Sequence, residues 1–402
     1  MTGSDADSHG PAAVSSADVD SSGTYFISVE AFEARPNALE QALLESLREL
    51  LRAPALAWDE PPRPRGRGAE SVVLDLSLRN AGEWSHKPLV VRLLHTFNPE
   101  QLAREAAFQS ALADSGFPAP RPVAHGSGRP GTLQPFLVME RVPGRVMFSL
   151  LPALVLGCIA LALAGLGALA WVLAIGWYGV AVRLQSRLHA IPVAAIEDGI
   201  SAYGLGPAEF GAAAWVERLG RQVEQLELHG FASGVAWLRS NFPAVKTAVA
   251  CHGDYWAGNM IVSLRGVTGL IDWPNAAIAP REFDLAWNCV QDGGDLPPAD
   301  RLAEPWRSRL SAILHPLVWT ALLPHRWLYR LFNPLDSAAL DYYTAFHCLR
   351  ILTWSVESER SANRGANPWN SRRARALIAG RFERITGVEL EMPEPPEKER
   401  EQ

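Results

Sequence analysis

One stretch of the sequence limits the possible folds more than any other. The run FSLLPALVLGCIALALAGLGALAWVLAIGWYGVAV extends from Phe148 to Val182 and contains no charged residue. About 20 apolar residues in helical form suffice to cross the hydrocarbon core of a bilayer. The run therefore raises the question of whether the chain is a membrane protein, and the remaining sequence has to answer it.

Composition narrows the class of protein. The 402 residues are enough for two or more domains, and the net charge of −6 comes without any run of Lys and Arg, so we expect no nucleic-acid partner. The four cysteines lack C-x-x-C spacing, which argues against a disulfide framework or a zinc site and favours the cytoplasm. The acidic, polar residues 1–23 predict a disordered leader rather than a signal peptide.

The first part of the chain carries helix and strand patterns in turn. From Ala38 to Leu51, apolar residues recur at intervals of three and four, which is typical of an amphipathic helix. The segment PPRPRGRG interrupts this pattern. The runs AESVVLDLSL and KPLVVRLLH, separated by RNAGEWSH, then predict a β-hairpin.

A second helix is predicted at NPEQLAREAAFQSALADSG, because Asn98 suits the N-cap, Pro99 the first turn and Gly116 the position after the end. The apolar run in TLQPFLVMERVPG predicts another strand. We therefore expect an N-terminal α+β lobe over residues 24–144.

The later part of the chain is mostly helical in pattern. Segments such as AAAWVERLGRQVEQLEL and LDYYTAFHCLRILTWSVESE indicate helices, and NMIVSL with VTGLIDW indicates one strand pair. We expect an apolar insertion over residues 145–182, a helical C-terminal lobe over residues 183–390 and a disordered, charged tail over residues 391–402.

The segment between Val249 and Trp287 carries the chemistry. It places Asp254 and Asn259 on one short loop and Asp272 at the end of an apolar strand. Phosphoryl transfer needs one carboxylate near the attacking hydroxyl and hard oxygen ligands that hold Mg²⁺ against nucleotide phosphates. A loop of the form His-x-Asp-x-x-x-x-Asn offers both.

In these motifs the chain resembles the aminoglycoside phosphotransferase and choline kinase-like family of small-molecule kinases. HGDYWAGN is similar to the family's H-G-D-x-x-x-x-N catalytic loop, and LIDW is similar to its metal motif. The resemblance implies Asp254 as catalytic base, His252 as organiser of the loop, and Asn259 and Asp272 as magnesium ligands. It further implies that Asp284, in FDLA, braces the loop.

The first lobe is then expected to bind the nucleotide. Kinases pair a strand cation with the phosphates and with a helix glutamate, and Arg92 with Glu105 occupy these positions. An arginine here departs from the usual lysine, although its planar fork can chelate phosphate. The alternative is an ordinary exposed strand arginine paired with a surface glutamate.

Two further parts of a nucleotide site can be proposed. The run RGRGAESVV offers a phosphate-covering loop with Gly66, Gly68 and Ser71, although the same composition suits a linker. The adenine-side connection would be the MERV run, with Met139, Glu140 and Val142 as its contact residues, a placement taken from the resemblance.

Several other chemistries find no support in the sequence. The histidines at 189, 315, 325 and 347 have no metal-ligand spacing, so we interpret them as structural. Neither G-x-S-x-G nor H-E-x-x-H is present, which disfavours two common hydrolase classes. IDW stands where a protein kinase has D-F-G, and no A-P-E follows, which disfavours a protein kinase.

The kinase motifs limit what the apolar run can be. A single membrane crossing would place the two halves of one active site on opposite sides of the bilayer. Two crossings would need roughly 40 residues, whereas Leu150–Ala164 and Ala168–Val182 offer arms of about 15 each. A hairpin in one leaflet and a hairpin buried in protein remain, as does a second arm that is simply a core helix of the lobe. Cations on both sides favour membrane contact from the cytoplasmic face; they are Arg141, Arg145, Arg183 and Arg187.

A second apolar segment, Ile313 to Phe332, follows the metal motif. Its aromatic and cationic residues suit an interfacial anchor, an apolar acceptor pocket or a plain core helix.

These patterns together predict a two-lobed, protein-kinase-like α+β fold. The expected reaction moves the γ-phosphoryl group of ATP or GTP, with Mg²⁺, to a hydroxyl of a small acceptor. Because the acceptor-side helices are rich in Trp, Leu and Arg rather than in carboxylates, we expect an apolar or lipid-like alcohol rather than a polycation. The alternative is an inactive, membrane-associated pseudokinase that acts as a binding protein.

Overall fold

The computed structural model describes residues 36–67, 71–95, 98–129, 133–291, 294, 306, 309–310, 312, 324–360 and 367–393. The leader 1–23, Gly68 and residues 394–402 of the tail lie outside the described residues. The chain divides into two compact units. Unit 1 comprises Met1–Ala106 and Arg121–Arg141, and unit 2 comprises Ala107–Pro120 and Val142–Gln402.

Unit 1 is built around an antiparallel five-stranded sheet in the order β1-β2-β3-β5-β4. Its strands are β1 (Ala57–Arg67), β2 (Ser71–Arg79), β3 (Leu89–Leu94), β4 (Pro122–Gly126) and β5 (Phe136–Glu140). Helix α1 (Pro36–Leu50) packs Leu39, Leu43 and Leu47 against the sheet, and α2 spans Pro99–Asp114. The predicted hairpin is confirmed as β2 and β3.

The start of α2 also confirms the sequence prediction. The side chain of Asn98 accepts a hydrogen bond from the backbone N–H of Gln101 (3.2 Å), which satisfies a donor that the first helical turn leaves open. Gly116, with φ +74°, follows the end of the helix.

The segment PPRPRGRG lies beyond the end of α1, as the sequence indicated, but it also forms a strand that was not predicted. Its residues 61–67 lie in β1, the edge strand of the sheet. Proline cannot donate a hydrogen bond to a neighbouring strand, so it is tolerated in a sheet only at edges and bulges. The pairing of β1 with β2 accordingly shifts register at several points. An edge strand that contains prolines does not show the alternating pattern by which strands are recognised.

Unit 2 is mostly helical. Its helices are α3 (Leu151–Leu163), α4 (Gly167–His189), α5 (Val193–Ala202), α6 (Ala212–Gln225), α7 (Ala232–Ser240), α8 (Glu282–Val290), α9 (Ser337–Arg360) and α10 (Arg372–Thr386), and residues 324–332 are also helical. The main core gathers around α9, where Phe346, Leu349 and Leu352 are buried against α8 and α10.

Two small antiparallel sheets in unit 2 support the candidate site. One has the order β6-β8-β9, with β6 at Arg145–Val146, β8 at Met260–Ser263 and β9 at Gly266–Leu270. The other pairs β7 (Val249–Cys251) with β10 (Ala277–Ala279). The predicted strand pair is therefore confirmed as β8 and β9.

The charge-free run forms a helical hairpin of α3 and α4, joined by a turn at Gly165 (φ +77°). Only the C-terminal part of α4 is buried, beginning at Ala181 and ending at His189. The apolar window of α4 is long enough for a membrane span but only 22% of it is buried. Burial of the whole second arm as a core helix, one of the alternatives from the sequence, is therefore wrong for residues 168–180.

Candidate active site

The candidate site is the loop from His252 to Asn259, which connects the buried strand β7 to β8. The loop turns at Gly253, which has φ +73°. A Cβ atom there would lie 2.1 Å from the carbonyl oxygen of Asn275, so no other residue fits without displacing backbone. Arg350 of α9 donates from Nη2 to the Gly253 carbonyl at 2.9 Å. The turn is thus fixed from two sides.

His252 is fully buried and organises the loop, as the resemblance implies. Its Nε2 lies 3.0 Å from the carbonyl oxygen of Ile271, and its Nδ1 accepts the backbone N–H of Asp254 at 3.2 Å. Burial lowers the pKa of His252, so the ring is neutral with its proton on Nε2. Because both ring nitrogens are engaged, His252 positions the loop and does not transfer a proton.

Asp254 is held from the other end of the loop by Asn259. The Asn259 Nδ2 donates to the backbone carbonyl of Asp254 (2.9 Å) and to its Oδ2 (3.1 Å). Asp254 is half-buried, and Asn259 is 6% exposed. The carboxylate therefore has a fixed direction while it stays accessible to a reacting hydroxyl.

Asp272 arrives beside Asn259 on the neighbouring strand. The backbone N–H of Ile271 donates to the Asn259 carbonyl at 2.9 Å, immediately after β9 ends, so Asp272 follows directly. Asp272 has φ 70°, a left-handed conformation that is uncommon outside glycine and concentrates at functional sites.

These residues fit a magnesium ion by their chemistry. The Nδ2 of Asn259 is used on Asp254, which leaves its amide oxygen Oδ1 as the ligand atom, and Asp272 supplies a carboxylate. Amide and carboxylate oxygens are the hard ligands that Mg²⁺ prefers. The predicted metal pair is therefore brought together on adjacent strands.

Asp284 of α8 braces the loop as the resemblance implies. It is fully buried and accepts the backbone N–H groups of His252 (3.1 Å) and Gly253 (2.7 Å). His189 Nε2 lies 3.0 Å from Asp284 Oδ2, and its Nδ1 lies 2.5 Å from the hydroxyl of Tyr329. Burial alone would raise the pKa of Asp284, but the hydrogen bonds from His189 and Gly253 outweigh it and lower that pKa.

His189, Asp284 and Cys251 lie close enough together to suggest a metal site. Their contacts indicate a structural cluster instead. Burial raises the pKa of the Cys251 thiol well above its usual value, and the thiol lies 3.6 Å from two backbone carbonyl oxygens. A protonated thiol is not a metal ligand.

In unit 1 the structure brings Arg92 and Glu105 together, as predicted. Arg92 Nη1 lies 2.7 Å and 2.8 Å from the two carboxylate oxygens of Glu105, and Arg92 Nε donates to the hydroxyl of Ser71 at 3.0 Å. Arg92 is 7% exposed and Glu105 is 2% exposed. The alternative of an exposed surface pair is therefore wrong.

Comparison with known proteins decides the family. A model of the APH family, described as phosphotransferase enzyme family, matches residues 63–317, which is more than half of the chain. The chain belongs to this phosphotransferase family. No curated protein matches the chain.

The phosphotransferase is similar to several solved structures. Aminoglycoside phosphotransferase APH(4)-Ia has 13% identity and a TM-score of 0.50, covering 88% of this chain and 98% of its own. A thermostable mutant of it, in ternary complex with AMP-PNP and hygromycin B, has 12% identity and a TM-score of 0.51, covering 87% and 98%. A putative aminoglycoside phosphotransferase from Ralstonia eutropha has 18% identity and a TM-score of 0.48, covering 86% and 98%. The first two confirm the predicted protein-kinase-like α+β fold.

The structure places most of the remaining predicted nucleotide residues of the phosphotransferase in or beside strands of unit 1. Gly66 pairs with Val73 near the end of β1, and Ser71 begins β2, so both flank residues 68–70, which lie outside the described residues. Met139 and Glu140 end β5 in unit 1. Val142 lies in unit 2, where its side chain packs over the backbone of Gly269.

Sequence reasoning missed several residues that hold the loop. Arg350 is a lone cation in the apolar run CLRIL of α9, and that isolation was the available signal. Tyr255 donates its hydroxyl to the carbonyl of Ala181 in α4 at 2.6 Å. Tyr329, from the second apolar segment, reaches His189. Such contacts join positions far apart in the sequence, where no local pattern can reveal them.

Proposed function

We propose that this phosphotransferase moves the γ-phosphoryl group of ATP or GTP to a hydroxyl group of a small molecule. The observation that carries the proposal is the direction of Asp254, whose carboxylate is fixed by Asn259 within hydrogen-bond distance. The loop around it is held by His252, Asp284 and Arg350. A single accessible carboxylate in a rigid loop is the group that phosphoryl transfer needs beside the attacking oxygen.

In the proposed mechanism, Asp254 accepts a hydrogen bond from the acceptor hydroxyl and takes its proton as that oxygen attacks the γ-phosphorus. The bond from this phosphorus to the bridging oxygen breaks, and the nucleoside diphosphate leaves. Asn259 has two tasks, since its Nδ2 orients Asp254 while its Oδ1 would hold Mg²⁺ together with Asp272. Bound magnesium would neutralise phosphate charge. His252 remains neutral throughout and keeps Asp254 in place, because its Nδ1 accepts the backbone N–H of Asp254.

Arg92 is proposed to bind the nucleotide phosphates from unit 1. Two observations support this role: Glu105 grips the guanidinium through Nη1, and Ser71 accepts a hydrogen bond from Nε, so its plane is fixed before any ligand arrives. Burying a permanently charged arginine costs free energy, and an apolar residue at this strand position would avoid that cost, which supports a binding role for Arg92. A fixed guanidinium loses little side-chain entropy when it binds phosphate.

The acceptor is proposed to be an apolar or lipid-like alcohol. Unit 2 contains a cleft of about 300 Å³ that is lined by residues of α8, of the helical residues 324–332 and of the start of α9. Its lining is apolar or cationic and includes no carboxylate: Leu285, Cys289, Arg326, Trp327, Arg330, Leu335 and Leu340. A polycationic acceptor would require acidic residues, whereas this lining suits an apolar body that carries a neutral or anionic group.

The proposal can be tested by thermal shift with ATP and with GTP, each with and without Mg²⁺. We expect a magnesium-dependent rise in melting temperature that Asp272→Ala reduces. Asp254→Asn should keep the rise but lose phosphoryl transfer to every acceptor in a screen of alcohols. A wild-type chain that shows no shift with either nucleotide would instead support a pseudokinase that acts as a binding protein.

A further inference from the structure

The hairpin of α3 and α4 exposes apolar side chains, and on α4 they point in more than one direction. Three consecutive residues of α4, Trp171, Val172 and Leu173, are 70%, 63% and 44% exposed. Consecutive residues of a helix point about 100° apart, so this surface is not one stripe. On α3, Leu156 and Leu163 are 67% and 85% exposed. A protein partner covers one face of a helix, whereas lipid surrounds it.

The length of the exposed part suits one side of a bilayer. The 13 residues of α3 extend about 20 Å, and residues 167–180 of α4 extend about the same distance. The hydrocarbon core of a bilayer is about 30 Å thick. The hairpin can therefore enter the core from one side and pass its middle, but its tip stops short of the opposite surface.

At the tip of the hairpin, two backbone hydrogen bonds close the C-terminal end of α3. Gly165 adopts φ +77°, and the N–H of Leu166 bonds back to the carbonyl of Leu161 at 2.8 Å while Ala164 bonds to Ala160 at 3.0 Å. Unpaired backbone groups are costly in hydrocarbon, so helices that turn inside a membrane must close their ends in this way.

The base of the hairpin carries the opposite chemistry. Arg145 precedes α3, and Arg183 and Arg187 lie on the last turns of α4; all three side chains are exposed. Cations at this height can meet anionic headgroups. Trp177 and Tyr178, both half-buried, lie on α4 between these arginines and the tip. Aromatic residues are enriched at this level of membrane proteins, where the headgroups meet the hydrocarbon.

The catalytic loop is attached to both arms at this base. The backbone N–H of Phe148, just before α3, donates to the carbonyl of Ala257 at 3.1 Å, and its ring lies 5.5 Å from that of Trp256. On the other arm, Tyr255 donates to Ala181 at 2.6 Å. Three consecutive loop residues thus touch the two points where the hairpin leaves the folded unit.

We propose that the α3–α4 hairpin enters a lipid bilayer through one leaflet, without reaching the opposite surface, and thereby holds the catalytic loop at the membrane surface. The membrane attachment itself is independent of the proposed function. One consequence rests on that function: an acceptor alcohol resident in the same leaflet would reach Asp254 without leaving the bilayer.

Vesicle flotation tests the attachment without any activity. Wild-type protein in mild detergent is mixed with vesicles of phosphatidylcholine and phosphatidylglycerol, and the mixture is floated after detergent removal. The tip variant carries Leu163→Glu with Leu166→Glu, and the matched control carries Leu264→Glu with Leu50→Glu; all four leucines are exposed. We expect wild type and control to float and the tip variant to bind at least about tenfold less.

A second copy of the chain is the competing occupant of the hairpin surface. If wild type stays with the soluble fraction as a discrete dimer, and the tip variant is a monomer, the proposal is overturned. Equal flotation of wild type and tip variant would also overturn it, since binding would then not use the hairpin.

Cysteine labelling tests the depth. Ala164→Cys marks the tip and Ser149→Cys marks the base, both at exposed positions, with wild type as the background. An impermeant maleimide added outside the vesicles should label the base and spare the tip until detergent is added. Labelling of the tip by reagent enclosed in the vesicles would show a span, and protection of the base would show that the catalytic loop is not at the surface; either result overturns the proposal.

Discussion

The loop at His252–Asn259 and the apolar hairpin touch each other, but their burial is the opposite of what their compositions suggest. Charged and polar side chains are buried around the loop, whereas apolar side chains are exposed on the hairpin. His252 of the loop and Asp284 of α8 are fully buried in a network of hydrogen bonds. Residues 148–182 of the hairpin carry no charge, yet Leu163 is 85% and Trp171 is 70% exposed.

The difference shows how each region obtains its stability. A buried polar network depends on every partner, because a donor or acceptor left without a partner in the interior costs about 1 to 3 kcal/mol. Substituting the exposed apolar side chains of the hairpin should change the free energy of unfolding little, because few of their contacts lie within the folded unit. Substitutions in the two regions should therefore differ both in kind and in size.

The largest expected effect is catalytic and lies in the loop. Asp254→Asn should lower the rate of phosphoryl transfer by about 10²- to 10⁴-fold, since it removes the proposed proton acceptor but keeps an oxygen for the Asn259 contact. The control is Asp198→Asn, an exposed position on α5. Turnover of nucleotide with acceptor measures the effect. Unchanged vesicle flotation for both variants would show that the loop substitution does not affect the hairpin. A rate near that of wild type for Asp254→Asn would contradict the role of Asp254 as proton acceptor.

The next effect is structural. Asp284→Ala should reduce the free energy of unfolding by about 3 to 5 kcal/mol, because His189 and two backbone N–H groups lose their buried acceptor. The control Asp341→Ala removes an exposed carboxylate from α9 and should change stability little. Urea unfolding in detergent compares the two. Equal losses would show that the network does not hold the loop.

A pH effect should also separate the regions. Burial lowers the pKa of His325 from 6.5 to about 4, and the pKa values of His252 and His347 are lowered as well. These histidines stay neutral in the folded chain while the unfolded chain takes up protons, so stability is full above about pH 6.5 and falls as the pH drops towards 4. For His325 alone the loss approaches about 3 kcal/mol.

Melting temperature measured between about pH 7 and pH 5 tests this dependence. His325→Gln should flatten it, whereas His229→Gln, at an exposed position, should not. The charge-free residues 148–182 contain no group that titrates in this range, so vesicle binding by the folded chain should stay constant. A melting temperature that does not fall with pH would contradict neutral, buried histidines.

The smallest effect is expected on the hairpin. Leu156→Ala, at a position 67% exposed, should change the free energy of unfolding in detergent by less than about 0.5 kcal/mol. The matched change Leu349→Ala, in the core around α9, should cost about 2 to 5 kcal/mol. Chemical denaturation gives both values. A large loss for Leu156→Ala would mean that its partner is protein.

Local patterns were sufficient for much of the fold and of the site. The β2–β3 hairpin and the Asn98 cap were predictable because each depends on neighbours in sequence. Asp254, Asn259 and Asp272 could be proposed together because a single short segment contains the loop and both strands beside it. Strand β1 was missed, since its prolines hide an edge strand whose partner alone reveals it.

The sequence by itself determined the kinase-like chemistry and the helical, charge-free character of residues 148–182. Only the tertiary structure decided where these features lie. It buries Arg92 against Glu105, brings Arg350 to the carbonyl of Gly253 and Tyr329 to His189, and leaves most of α4 outside the core. The physical reason is that burial depends on which distant residues pack against a segment, and an apolar composition alone does not specify whether those neighbours are protein or lipid.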